Sequence, residues 1–222
     1  MLTLYLDPAS TTCRPVTLFA TEAGIELNQI HINLSLGEHL TAAFSEINPN
    51  QVVPVLDHDG FRLTECSAIL KYLADLVHSP AYPTDLRARA RINQWMDWFN
   101  TLFIKDFGYG YVYPQIFDFL RLSEMAERER AAWHAPRAAK RLKILDDHLA
   151  ASGPYICGDA ITLADYMGAC FVNLGELVDF DFSPFPDVQR WIATIKARSA
   201  WDAVHAGFYG WRAALHQSRI AA

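Results

Sequence analysis

Apolar and polar residues alternate at the very start of the chain. Leu2, Leu4 and Leu6 alternate with Thr3 and Tyr5, which is the period-two pattern of a strand that buries at least one face. The same alternation returns at 29–33. The pattern therefore predicts two β-strands within the first 33 residues.

Two more short apolar runs, at 53–57 and 61–63, flank a turn sequence that contains Asp59 and Gly60. An Asp-Gly pair between two such runs predicts a β-hairpin. A proline at the start and Gly24 after the end predict a first helix, a short helix is predicted before Asn48-Pro49, and after the hairpin apolar residues recur every three to four positions, which predicts a third helix. The three predicted helices cover 15–23, 38–46 and 65–77. The predicted order is therefore βαβα followed by ββα.

Two prolines, Pro80 and Pro83, lie in a stretch without periodicity, and this composition is typical of a linker. After it the strand pattern disappears and the helical spacing continues. Four helices are predicted, over 85–103, 123–151, 162–177 and 187–206. Thr162 and Asp165 have the spacing of a capping box at the start of the third one. The sequence predicts an α/β domain followed by an all-α domain.

Composition and charge exclude several classes of function. The net charge is −6 and the pI near 5.7, which argues against nucleic-acid binding because phosphate neutralisation needs a basic face. No uncharged apolar run reaches the length of about 18 residues that a membrane span needs, and the start lacks a basic region of a signal peptide. The 4 cysteines form no CxxC pair, which favours reduced thiols in the cytoplasm.

Three hydroxyl residues, Ser10, Thr11 and Thr12, lie between the first strand and the first helix. A hydroxyl donor and the positive end of a helix both favour an anion, such as a thiolate. A serine in this place can also simply cap the helix. Cys13 follows where a redox CxxC motif would have its second cysteine, but the first position is Ser10, so disulfide exchange is not expected.

Ser10 to Pro15, Val53-Pro54 and Thr64 to Leu70 together give a sequence that resembles the soluble glutathione transferases, most closely the serine-type, theta-like classes. The resemblance implies a thioredoxin-like N-terminal domain over 1–79, a linker over 80–86 and an all-helical domain over 87–222. It also implies that Ser10 donates a hydrogen bond to the thiol of glutathione. Thr11 and Thr12 remain alternative donors, as does Tyr5, which corresponds to the strand tyrosine of another transferase type.

The resemblance implies a cis bond between Val53 and Pro54, with the backbone of Val53 recognising the cysteinyl part of glutathione. His39 matches a histidine that contacts the glycine carboxylate. Families of this kind often carry Lys or Gln before the Val-Pro pair, whereas this chain has Val52, with Gln51 one residue earlier. One contact to the glycine end is therefore expected to differ.

The resemblance also implies that Glu65 takes the α-ammonium of the γ-glutamyl group and that the amide of residue 66 donates to its α-carboxylate. The usual serine is replaced by Cys66, whose thiol is a weak donor. Cys66 can alternatively be a small packed residue or a redox-sensitive thiol.

An aromatic stretch with two glycines runs through 103–117, and Tyr109 and Tyr113 are its candidates for lining a pocket for an apolar electrophile. Packing between helices is the alternative for each ring. The resemblance implies a homodimeric transferase that uses glutathione as co-substrate and needs no metal. Two alternatives are a glutathione-binding or scaffolding protein with little turnover, and a glutathione-dependent dehalogenase, isomerase or peroxidase.

Overall fold

Four strands form one mixed sheet in the order β2-β1-β3-β4. The computed structural model describes residues 1–221. Strands β1 (Leu2–Leu6) and β2 (Asn28–His31) are parallel, while β3 (Val55–His58) runs antiparallel to β1 and to β4 (Phe61–Thr64). All four predicted strands are present, although β2 lies at the sheet edge and is exposed along its length.

The helices that accompany the sheet follow the predicted order. Helix α1 (Cys13–Glu22) and helix α3 (Cys66–Leu76) pack against each other. Their apolar faces and the sheet form a core whose fully buried residues include Leu4, Leu18 and Ile69. The predicted order βαβα-ββα and the thioredoxin-like fold of the first part of the chain are confirmed.

The predicted helix over 38–46 is wrong as one continuous element. The structure has a 3₁₀ turn at Glu38–Leu40 and a short helix α2 at Ala42–Ser45. Thr41 separates them with an extended backbone (φ −74°, ψ 153°), and its hydroxyl accepts a hydrogen bond from the amide of Phe44. A threonine that caps the following turn cannot also continue the preceding one, which explains the break.

The rest of the chain is helical, as predicted. The segments are α4 (Leu86–Trp98), a π-helical segment (Phe99–Val112), two 3₁₀ turns (Tyr113–Gln115 and Asp118–Leu120), α5 (Glu124–Ser152), α6 (Leu163–Val172) with a 3₁₀ extension (Asn173–Val178), α7 (Pro186–Lys196) and α8 (Trp201–Ala221).

The π-helical segment corrects the predicted helix over 85–103, which ended too early. The glycines at 108 and 110 lower helix propensity, but the structure uses them for close packing. A Cβ atom at Gly110 would lie 2.3 Å from Nδ1 of His134 on α5. Asp106, buried on the same segment, accepts a hydrogen bond of 2.9 Å from Arg141 of α5. The segment is therefore anchored on α5.

The predicted helix over 187–206 is also wrong, because two helices with different burial replace it. Trp191 and Ile195 of α7 are buried in one compact unit of the chain, whereas Trp201 and Phe208 of α8 are buried in the other. The two apolar stripes are out of phase with each other, so a single straight helix could not bury both.

The chain divides into two compact units. We call them the N-terminal unit, Met1–Pro83 with Ser199–Trp211, and the helical unit, Thr84–Arg198 with the chain from Arg212 onward. The boundary at Pro83 lies in the predicted linker. Residues 199–211 join the N-terminal unit, whereas the predicted helical domain over 87–222 includes them. The functions of the two predicted domains remain a prediction.

Helices α4 to α7 of the helical unit are capped at their starts: a side-chain oxygen atom accepts a hydrogen bond from a backbone amide there. Such caps satisfy donors that have no partner within the helix. The capping residues are Asp85 for α4, Ser123 for α5, Thr162 with Asp165 for α6, and Asp146 for α7. The predicted capping box at Thr162 and Asp165 is confirmed.

Candidate active site

Three separate segments of the N-terminal unit meet at one edge of the sheet, the edge at which β1 ends. In the strand register, Tyr5 of β1 lies opposite Val55 of β3, which lies opposite Thr64 of β4. The segment after β1, the segment before β3 and the segment after β4 therefore leave the sheet at the same edge. These segments carry Ser10, Val53-Pro54 and Glu65-Cys66 respectively.

A tight turn carries the chain from β1 to Ser10. The amide of Ser10 donates to the carbonyl of Asp7 at 3.0 Å. The carboxylate of Asp7 accepts from the amides of Ala9 at 2.8 Å and Leu34 at 3.2 Å. Asp7 thus fixes the turn and ties it to the segment after β2. This role of Asp7 was not predicted, although an Asp followed by Pro at a strand end is a recognised turn signal.

The C-terminal helix supports the same turn from within the N-terminal unit. A Cβ atom at Gly207 would lie 2.9 Å from Cβ of Pro8, so only a glycine permits this approach without displacement. The guanidinium of the fully buried Arg14 lies 4.0 Å from the ring centroid of Phe208. The predicted helices stopped at 206, and this contribution of α8 was not anticipated.

The hydroxyl of Ser10 belongs to a short chain of hydrogen bonds. Its Oγ lies 3.2 Å from Oγ1 of Thr12, and Thr12 donates to the carbonyl oxygen of Val53 at 3.1 Å. Thr12 occupies the N-cap position of α1, yet its side chain makes no capping hydrogen bond. The chain of bonds joins the start of α1 directly to the segment before β3.

Cys13 lies behind Ser10 as the first residue of α1 and is fully buried. Burial raises the pKa of its thiol to about 12, although a hydrogen bond with the Ser10 side chain opposes the rise. The thiol is therefore neutral near pH 7. This agrees with the expectation that Cys13 performs no disulfide exchange.

The peptide bond between Val53 and Pro54 is cis, as the resemblance implies. Both residues are buried, whereas Val52 is half exposed. The side-chain amide of Asn48, buried itself, donates to the carbonyl of Val52 at 2.8 Å and holds the segment in place. Gln51 donates instead to the hydroxyl of Ser45 at 2.9 Å, so its amide is used within this loop.

Glu65 occupies the N-cap position of α3 with a left-handed backbone, φ 68° and ψ 118°. This conformation is unusual for a residue with a side chain and occurs preferentially at functional sites. The Glu65 carboxylate is exposed and makes no hydrogen bond or ion pair with residues 1–221. Cys66 follows as the first residue of α3 and is buried.

His39 and Tyr5 are the remaining candidates in this unit. His39 lies in the 3₁₀ turn after Gly37, and its Nδ1 atom is buried without a hydrogen-bond partner within the described part of the chain. Tyr5 lies in β1, partly exposed, on the opposite face from Leu4 and Leu6. Thr11 is almost completely buried, so it is less accessible to a ligand than Ser10.

Tyr109 and Tyr113 lie at the end of the π-helical segment and in the following 3₁₀ turn. Tyr109 is 63% exposed, which sets it apart from the buried rings of the same segment. The two tyrosine rings meet edge to face with centroids 5.2 Å apart, and Tyr113 continues to Phe117 at 5.5 Å. They form an accessible aromatic surface on the helical unit.

No helix in the part of the chain that the structure describes is long and apolar enough to cross a membrane. Within residues 1–221, no three histidine, cysteine or acidic side chains are grouped so that they could hold a metal ion.

Comparison with known proteins identifies the family. Residues 1–75 match the model of the glutathione S-transferase N-terminal domain, and residues 112–199 match the model of its C-terminal domain. A delta-class glutathione transferase from Nilaparvata lugens is 31% identical with a TM-score of 0.84, and the match covers 98% of this chain and 99% of that one.

Two further solved structures agree. A glutathione S-transferase from Pseudomonas fluorescens is 26% identical with a TM-score of 0.79, covering 89% of this chain and 96% of that one. A diazinon-metabolizing glutathione S-transferase from Bombyx mori is 23% identical with a TM-score of 0.81, covering 95% and 98%, which shows the shared fold alone. The chain belongs to the glutathione S-transferase family and is a transferase that uses glutathione.

Proposed function

We propose that this chain is a serine-type glutathione transferase in which Ser10 stabilises the thiolate of glutathione for attack on an apolar electrophile. The observation that carries the proposal is the lack of a side-chain cap at the starts of two helices. Helices α1 and α3 both begin at the same sheet edge without a side-chain cap. The positive ends of both helix dipoles therefore lie at this edge, where they favour anions.

Glutathione has anionic groups that suit these two helix starts. A thiolate beside Ser10 would receive a hydrogen bond from its hydroxyl and the field of α1. The α-carboxylate would meet the amide of Cys66 at the start of α3, and the unpaired carboxylate of Glu65 would take the α-ammonium. The cysteinyl backbone would pair with Val53 as an added strand does.

His39 completes the proposed glutathione site. Its Nδ1 atom is buried without a partner in the described residues, and an unpaired buried polar atom costs free energy unless a ligand satisfies it. The glycine carboxylate of glutathione would be such a ligand. The absence of Lys or Gln at Val52, and the engagement of Gln51 with Ser45, leave His39 as the main candidate for this contact.

The chemistry asked of the protein is ionisation and positioning. A free thiol has a pKa of about 8.5 and is mostly protonated at neutral pH. Ser10 would stabilise the anion while the released proton goes to solvent. The sulfur then forms a bond to an electrophilic carbon, and a leaving group departs with its electron pair or an adjacent double bond takes up the charge. Tyr109 and Tyr113 are the proposed aromatic surface for that electrophile.

We further propose that the chain acts as a homodimer in the cytoplasm. In the described residues none of the four cysteines forms a disulfide, which fits a reducing compartment. The homodimer is the usual assembly of the family. Sedimentation at micromolar concentration tests it: a species of twice the 25.1 kDa chain mass is expected, and a monomer contradicts it.

The test of Ser10 is substitution combined with separate measurements of binding and turnover. Ser10→Ala is expected to lower kcat/KM for conjugation at least tenfold, because about 1.4 kcal/mol or more of stabilisation of the ionised sulfur is lost. Glutathione binding by calorimetry and the unfolding midpoint should change little. Full activity in Ser10→Ala, with loss in Thr11→Ala or Tyr5→Phe, would identify another donor. Binding without measurable conjugation by the unaltered protein would instead support a scaffolding role.

A further inference from the structure

The Thr12 hydroxyl has a defined direction in the hydrogen-bond chain that contains Ser10. A threonine hydroxyl has one proton and two acceptor sites. That proton is given to the carbonyl of Val53, which can only accept, at 3.1 Å. The contact of 3.2 Å between Ser10 and Thr12 therefore has Ser10 as donor and Thr12 as acceptor.

This arrangement conflicts with the role proposed for Ser10. When Ser10 donates its single proton to a thiolate, it has none left for Thr12. If Thr12 continued to donate to Val53, two oxygen atoms about 3.2 Å apart would face each other with lone pairs only. Binding of an ionised thiol therefore requires the Thr12 hydroxyl to turn as well.

We propose that Thr12 is a positioning residue that reverses its hydrogen bond, from the Val53 carbonyl in the free protein to Ser10 Oγ when a thiolate is bound. This inference rests on the proposed function, because it assumes that Ser10 is the donor to sulfur. A hydroxyl that itself accepts a hydrogen bond is a better donor, because the bonds polarise one another. Thr12 would thus strengthen the Ser10 contact to sulfur and release the Val53 carbonyl for the ligand.

Two further observations support this role. Thr12 stands at the N-cap of α1, where threonine usually accepts a hydrogen bond from the helix, but its side chain makes no such bond. Its hydroxyl is therefore not committed to holding the helix. The other partner of Ser10, the Cys13 thiol, is fully buried, whereas Thr12 is partly exposed, so Thr12 is the partner that has room to rotate.

The experiment measures the pKa of the glutathione thiol in its complex with the protein, from the ultraviolet absorbance of the thiolate as a function of pH. Thr12→Val removes the hydroxyl and keeps the shape. We expect the pKa of the bound thiol to rise by roughly 0.5 unit and kcat/KM at about pH 6.5 to fall by roughly threefold. Thr12→Ser, which keeps the hydroxyl, should restore both values.

Thr17→Val is the matched control, because the Thr17 hydroxyl lies in the same helix and donates to the backbone carbonyls of Cys13 and Arg14. It should leave the thiol pKa unchanged. Thr12→Ala provides a second variant if Thr12→Val does not fold. An unchanged or lowered thiol pKa in Thr12→Val or Thr12→Ala would overturn the reversal.

The double variant separates failure of this inference from failure of the proposed function. If Thr12 acts through Ser10, adding Thr12→Val to Ser10→Ala should not raise the thiol pKa further. An additional rise of the same size as in the single variant would show an independent role and overturn the inference. A thiol pKa that Ser10→Ala leaves unchanged would overturn the proposed function itself.

Discussion

Two threonines begin helices in this protein and use their hydroxyls in opposite ways. Thr162 starts α6 within a complete capping box, in which the Asp165 carboxylate accepts from the amide and the hydroxyl of Thr162, both at 2.8 Å. Thr12 starts α1 without capping it and donates to Val53 instead. We call a helix start closed when a side chain caps it, as at α6, and open when none does, as at α1.

The contrast extends to the two units. Helices α4 to α7 of the helical unit all have side-chain caps. In the N-terminal unit the short helix α2 is capped by Thr41, but α1 and α3 begin without side-chain caps. Capping is worth about 1 kcal/mol for each helix. The open starts lie at one sheet edge, next to Ser10 and Glu65. Side-chain caps are therefore lacking at the two helix starts where a ligand is expected.

The largest expected effect is a loss of stability at the closed helix start. The Asp165 carboxylate also accepts from the amide of Ile156 at 2.8 Å and from the indole of Trp191 at 2.9 Å. Asp165→Asn replaces one acceptor oxygen by an NH₂ group, which would face N–H and O–H donors and leave them without an acceptor. We therefore expect the free energy of unfolding to fall by about 3 kcal/mol. Urea denaturation measures this loss.

The activity of the folded Asp165→Asn protein should not fall with its stability. The KM for glutathione of Asp165→Asn should stay within about twofold of the unaltered protein, measured at low temperature. Asp159→Asn, at an exposed aspartate in the same region, is the control. A loss of less than about 1 kcal/mol, or a tenfold change in KM, would contradict the division between closed and open helix starts.

The next effect concerns the open start of α3. Glu65→Ala should weaken glutathione binding by about tenfold or more, because a hydrogen bond between charged groups contributes roughly 1.5–3 kcal/mol. The affinity of Glu65→Gln, which keeps one acceptor oxygen, should lie between the affinities of the unaltered protein and of Glu65→Ala. Calorimetry measures the Kd, with the exposed Glu26→Ala as control. Equal affinity in all four proteins would remove Glu65 from the site.

The smallest effect is a gain. Cys66→Ser provides a better donor at the first residue of α3, so glutathione should bind more tightly by about 1 kcal/mol, or severalfold in Kd. In the unaltered protein, bound glutathione should slow alkylation of Cys66, since the ligand would cover it. Cys13, with a thiol pKa of about 12, should not react at pH 8. A neutral substitution together with alkylation insensitive to glutathione would make Cys66 only a packed residue.

The sequence predicted the element order, and it placed the three candidate segments of the site next to strands. Alternation identified β1 and β2, and two short apolar runs around the Asp-Gly pair identified β3, β4 and their hairpin. Ser10, Val53-Pro54 and Glu65 follow or precede strands, so their common location at one sheet edge follows from the topology. Their roles toward glutathione stay predictions.

Features that depend on contacts distant in sequence were not predicted. The Thr12 hydroxyl bonds with Val53, which lies in another segment, whereas from the sequence Thr12 was only an alternative donor to the thiol. The division between α7 and α8 depends on which unit each apolar stripe contacts. The π-helical segment depends on the close approach of Gly110 to His134 of α5. No local periodicity encodes these partners.

The central claim is that an open helix start and the Ser10 hydroxyl together stabilise an ionised thiol. The most direct measurement is the pKa of glutathione bound to the unaltered protein, compared with free glutathione and with the Ser10→Ala complex. We expect the bound thiol to titrate at least about one pH unit below the free thiol, and Ser10→Ala to move it back toward the free value. A bound thiol that titrates at the same pH as free glutathione would contradict the claim.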